Sequence, residues 1–97
     1  MRDPFVPEKR KTRRVEVSIR SRVRHSSFLA SPVEITSISF GGFGASGAAE
    51  VRCGDYLSVD LPNIGLVRAR VVWSEPGRFG GVFPKAVDVR KCLKPLR

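Results

Sequence analysis

From Val15 to Arg24, apolar and polar residues alternate almost without a break. Val15, Val17, Ile19 and Val23 share one parity, with Ser21 as the single polar interruption, while Glu16, Ser18, Arg20, Arg22 and Arg24 share the other. A repeat of two marks a β-strand with one buried and one wet face, because successive side chains leave a strand on opposite sides. The alternation returns at Leu57, Val59 and Leu61, and again at Val67, Ala69, Val71 and Trp73 with Arg68 and Arg70 opposite. Pro62-Asn63-Ile64-Gly65 joins those two runs and predicts a hairpin connection, and Glu75-Pro76-Gly77 predicts a further turn. Phe79 to Phe83, with Gly80-Gly81 inside it, reads as a short last strand closed by Pro84.

The stretch between the first two runs is less regular. A strand is predicted from about Pro32 to Ser39, but Val33 and Ile35 have odd parity whereas Ile38 and Phe40 have even parity. A one-residue slip moves side chains to the other face unless a bulge absorbs it, so the backbone should be irregular near Ser37. Gly41, Gly42 and Gly44 follow, permitting positive φ or close approach of another group to the backbone. Ala45 to Gly54 reads as a loop of small residues, His25-Ser26-Ser27 as a surface turn, and residues 86–93 as one or two helical turns stopped by Pro95. Phe43, Trp73, Phe79 and Phe83 are assigned to the core. Five or six short strands with frequent turns imply a small all-β antiparallel barrel or sandwich, and a barrel has the advantage of leaving no open edge.

A chain of 97 residues favours one domain, and 41% hydrophobic residues suffice for a packed core. No apolar run reaches the roughly 20 residues needed to span a bilayer, and Met1 to Arg14 lacks the apolar centre of a secretory signal. The chain is therefore expected in the cytoplasm, away from membranes. Cys53 and Cys92 stand far apart beside one histidine, His25, which suits two reduced thiols and no metal site. The formal net charge is +9. Residues 1–24 hold nine basic and three acidic residues, so an excess of six sits in the first quarter of the chain. The densest part is Lys9-Arg10-Lys11-Thr12-Arg13-Arg14. Residues 1–8, which include Pro4 and Pro7, are expected to be disordered, with a flexible basic arm over 9–14 belonging to a single domain of residues 9–97.

Catalysis finds few candidates. A nucleophilic site needs a Ser or Cys, a base and an oxyanion site, and one turn histidine is a thin supply of bases. The glycines match neither a phosphate loop nor a dinucleotide fingerprint. The chain is thus expected to bind rather than catalyse. Arg10 and Arg14 are four apart, which places both on one side of an extended or helical arm. A guanidinium can fork onto phosphate oxygens, read the O6 and N7 edge of guanine, or lie over a base. An anionic guanine nucleotide would use all three modes, and the Ser37–Gly42 segment offers hydroxyls and backbone N–H groups opposite.

These residues resemble the PilZ domain family, whose better-studied members bind cyclic di-GMP. The family's Arg-x-x-x-Arg before the first strand reads Arg10-Lys11-Thr12-Arg13-Arg14, and its Asp/Asn-x-Ser-x-x-Gly reads Ser37-Ile38-Ser39-Phe40-Gly41-Gly42. Gly54-Asp55, Val71-Val72-Trp73 and Gly81-Val82-Phe83 follow in the family's order, so the likeness covers about residues 9–85. The resemblance implies a six-stranded antiparallel barrel with a short C-terminal helix, and cyclic di-GMP held between the arm and the outer barrel face. By position, it implies that Arg10 and Arg14 grip phosphate and stack on guanine, that Ser39 hydrogen-bonds the ligand, and that Gly42 keeps the backbone close. Arg13 and Lys9 would add attraction. Ser37 stands where the family usually carries Asp or Asn. A carboxylate there accepts from both the N1–H and N2–H of guanine, whereas a hydroxyl reaches one partner at best. One such hydrogen bond is worth roughly 1–2 kcal/mol, about tenfold in affinity.

Three functions follow as expectations. The first is a cyclic di-GMP receptor whose arm changes conformation on binding and whose liganded surface is read by a protein partner. The second is a degenerate PilZ domain acting as a protein-interaction adaptor, favoured by Ser37. The third is a non-specific nucleic-acid-binding barrel. The charge favours that one, but no exposed aromatic platform is evident for stacking bases, which argues against nucleic acid.

Overall fold

The computed structural model describes residues 14–25 and 28–93. The expected disordered segment 1–8, and Lys9, Arg10 and Arg13 of the arm, lie outside the described residues, as does Pro95. The first alternating run forms β1 (Val15–His25), and β2 (Phe28–Ile38) returns beside it. β3 (Gly42–Gly47), β4 (Tyr56–Leu61), β5 (Gly65–Glu75) and β6 (Arg78–Val82) follow, and a single helical turn, α1, spans Val89–Cys92. All neighbouring strands are antiparallel and close in the order β1-β2-β3-β6-β5-β4. The chain is the all-β, six-stranded antiparallel barrel with a short C-terminal helix that the family likeness implies. The closing seam is narrow: β1 meets β4 at Val23 opposite Val59 and Arg24 opposite Ser58. Ser21, the polar interruption of β1, extends that seam by donating its hydroxyl to the Asp60 carbonyl.

The inward parity of each strand fills the barrel. Val23, Ile35, Ile38, Phe43, Val59, Leu61, Val71 and Phe79 are the largest fully buried side chains. Phe43 is central among the aromatics. Its ring stacks on Phe83 at 5.6 Å and meets Phe79 edge-on at 6.0 Å. Arg20, Arg22, Arg24, Arg68 and Arg70 occupy the outward parity and face solvent, as the alternation requires.

Among the described residues, register breaks four times around the barrel, twice between β1 and β2 (Glu16/Ile19 and Val23/His25), and the other two breaks place the outer-face residues Ser37 and Trp73. Between Ile35 and Ser37 the β2–β3 pairing slips, so that Ile35 opposes Ala45, Ser37 opposes Gly44 and Ile38 opposes Phe43. Thr36 is the extra residue. The slip puts Ser37 outside while returning Ile38 to the core, which is the irregularity expected near Ser37. The second of these two breaks lies between Val71 and Trp73 in the β5–β6 pairing. Trp73, assigned to the core by its parity with Val71, is instead turned outward beside Gly80, because the bulge at Val72 reverses its side.

Other expectations are corrected by packing. Strand β2 starts at Phe28 rather than Pro32, and the supposed loop from Ala45 begins as strand β3, with only residues 48–55 connecting it to β4. Glycine, alanine and serine occupy β3 because neighbours crowd it, and small side chains concealed it as a strand. None of Gly41, Gly42 and Gly44 has positive φ, so close approach is what applies to this cluster. His25 is not in a surface turn. It ends β1 half-buried, its Nε2 3.1 Å from Asp55 Oδ2. The hairpin at Pro62–Ile64 does form, with Asn63 at φ 64° and Gly65 at φ 103°. Among the described residues, helical structure is confined to Val89–Cys92, whose Val89 and Cys92 are buried with Val87 against the barrel. Val87 N–H donates to Phe40 carbonyl and Asn63 Nδ2 to Lys91 carbonyl, each at 2.9 Å, tying the C-terminal segment to the turns at one barrel end. Both cysteines are free thiols: Cys53 is exposed, and burial pushes the Cys92 thiol up.

Candidate functional site

Where β1 begins, the last arginine of the arm already touches the second sequence motif. Arg14 Nη1 donates to Ser37 Oγ at 3.3 Å. The same hydroxyl hangs over Gly44, where a Cβ would fall 2.9 Å from it and 3.9 Å from Arg14 Nη1. Gly44 opposes Gly80 on β6, and Gly80 opposes Trp73 on β5. A Cβ at Gly80 would fall 2.3 Å from Trp73 Nε1, so the indole lies on this glycine. Directly opposed residues of antiparallel strands point to the same side. Ser37, Gly44, Gly80 and Trp73 therefore form one outward row across four strands. With strands roughly 4.8 Å apart, this is a shelf about 14 Å across between Ser37 and Trp73. Two glycines floor it, Arg14 stands at one end, and at the other the Arg78 guanidinium lies 5.8 Å over the Trp73 ring.

Ser39 and Gly42 have a different place. Ser39 is buried, and its hydroxyl accepts from the N–H groups of Gly41 at 3.3 Å and Gly42 at 3.2 Å. Its own N–H donates to the Gly42 carbonyl at 2.8 Å. The hydroxyl thus holds the β2–β3 turn, which fixes how β3 enters the shelf. Gly42 is demanded by β6: a Cβ there would sit 2.4 Å from the Gly81 carbonyl oxygen, a backbone atom that cannot rotate away. Gly42→Ala is expected to cost about 1–3 kcal/mol of stability through overpacking, read as a lower urea midpoint with an unchanged slope. An unchanged midpoint would contradict this role.

The structure therefore brings Arg14 and Ser37 together, sets Ser39 and Gly42 behind them as the turn, and describes neither Arg10, Arg13 nor Lys9. Trp73 is the site residue that sequence reasoning missed, having been placed in the core. A model of the PilZ domain matches residues 8–94. The chain belongs to the PilZ domain family. No curated protein matches it significantly. PilZ domains are known as cyclic di-GMP-binding modules, receptors rather than enzymes. Among the described residues of this PilZ domain, no three His, Cys, Asp or Glu side chains gather as a metal site, and no helix is long and apolar enough to cross a membrane.

Proposed function

We propose that this PilZ domain is a cyclic di-GMP receptor that binds the nucleotide on the shelf between Ser37 and Trp73. The observation that carries the reading is the Arg14–Ser37 contact, which stations the arm's last guanidinium at one end of the row that runs to Trp73. Arg10 and Arg14 take the phosphates and guanine, with Arg13 and Lys9 adding attraction. The Trp73 indole lies on Gly80 with Arg78 beside it, which offers an aromatic and cationic face on which a flat base can stack. Ser39 and Gly42 act by holding the turn that presents this row. Ligand binding brings the arm's guanidinium groups onto the shelf, and the surface so formed is what a protein partner reads in the cytoplasm. Calorimetric titration of the full chain with cyclic di-GMP tests this, and absence of heat at high-micromolar protein would sink it.

The second reading, a degenerate adaptor, is favoured by Ser37 alone. Ser37→Asp separates the two. A receptor that is already competent gains less than about threefold in affinity, well under one full hydrogen bond. A degenerate site gains binding where the parent chain shows none.

A further inference from the structure

Serine at position 37 leaves a guanine edge short of an acceptor, and the register of β1 supplies one. Glu16 stands directly opposite Ser37. Both face outward, since their neighbours Val15 and Ile38 pair with one another on the inner side. Opposed residues on antiparallel strands hold their Cβ atoms about 4.5–5.5 Å apart. Glutamate carries one methylene more than aspartate, so its carboxylate can lean over the Ser37 hydroxyl. Nothing among the described residues occupies it. The carboxylates paired with a basic side chain there are Asp55 with His25, Glu75 with Arg78 and Asp88 with Arg90. The other carboxylate nearby, Glu34, instead accepts the Ser18 hydroxyl at 2.6 Å. Glu16 is exposed and two residues from Arg14, on the same side of the chain.

We infer that Glu16 supplies the carboxylate that reads guanine in this domain, accepting from the N1–H and N2–H groups from β1 instead of from position 37 on β2. The inference rests on the cyclic di-GMP reading above. It also accounts for the serine. An aspartate at 37 would set two like charges directly opposite each other, which destabilises an antiparallel pair. Arg14 and Glu16 then flank one hydroxyl, the first for phosphate and the second for the base edge. The carboxylate confers a choice of base too. Adenine has no hydrogen on N1 and no amino group at C2, so cyclic di-AMP presents no donor at either of these positions, and its N6 amino group is a single donor elsewhere on the edge.

Calorimetry with cyclic di-GMP and cyclic di-AMP on the full chain tests the assignment, using wild type, Glu16→Ala, Glu16→Gln and the double variant Glu16→Ala plus Ser37→Asp, with thermal melts to establish folding. Glu16→Ala is expected to lose at least about tenfold in cyclic di-GMP affinity, the worth of one charge-assisted hydrogen bond. Its weak response to cyclic di-AMP should not change. Glu16→Gln should lose less than Glu16→Ala, because its amide oxygen still accepts one guanine N–H while its NH2 group cannot accept the other. The double variant should return to within about threefold of wild type. If wild type binds and Glu16→Ala binds equally well, Glu16 is not the reader and only this assignment falls. A folded double variant that fails to recover overturns it as well. If wild type itself gives no heat, the receptor reading falls first.

Discussion

Replacing Arg10 and Arg14 together by alanine should lower cyclic di-GMP affinity by at least about a hundredfold. Hydrogen bonds to charged groups contribute about 1.5–3 kcal/mol each, so two guanidinium anchors amount to about 3–6 kcal/mol, and the lower figure already exceeds two decades. Arg14 has a visible share in this. Its contact with Ser37 holds it beside the shelf before any ligand arrives, so less side-chain freedom remains to be lost on binding. The pair should leave stability nearly untouched, because Arg14 is exposed and its contact with Ser37 is a surface one. Calorimetry and a thermal melt on the same variant make the check. A variant that melts like wild type and still binds within threefold would remove the arm from the site.

The largest effect on the fold is expected at Phe43. Phe43→Ala should cost about 3–5 kcal/mol, since truncating a buried phenylalanine loses its transfer energy and leaves a cavity. The ring sits between Phe79 and Phe83, and a Cβ at Gly81 would already lie 3.1 Å from it, so the surroundings are filled and have little slack to collapse. Small domains have only about 5–15 kcal/mol in total. The variant should therefore melt at least about 12 °C lower, at about 4–8 °C per kcal/mol. Phe43 lies between Gly42 and Gly44, so loss of its packing should also loosen the shelf. A cost below about 1 kcal/mol in urea unfolding would contradict a central role for this side chain.

The strands were legible wherever the wet face carried charge. Arginine alternating with valine leaves one assignment of faces, and β1, β4 and most of β5 follow it. The slip near Ser37 was legible too, because polar Thr36 and Ser37 separate two apolar phases. The slip at Val72 was not. Val71, Val72 and Trp73 are all apolar, so an extra residue among them leaves no mark in the parity, and the tryptophan is misassigned to the core. β3 was hidden for a different reason. Its residues are small because Ser37 and the Gly81 carbonyl occupy the space where side chains would stand, and small residues carry no strand signal. The site was legible as two motifs, but their division of labour was not. Ser37 reaches the outer face beside Arg14, whereas Ser39 two residues on is turned inward to hold the turn, a difference that the bulge and the turn together create.

The position of the ligand is the centre of the account, and amide chemical shifts of the labelled full chain under titration with cyclic di-GMP test it most directly. The largest shifts should fall on Arg14, Ser37, Gly44 and Gly80 and on the indole N–H of Trp73, with Arg24, Tyr56 and Arg68 on the far side of the barrel unmoved. Shifts confined to that far side, or none at saturating nucleotide, would contradict a receptor built on this shelf.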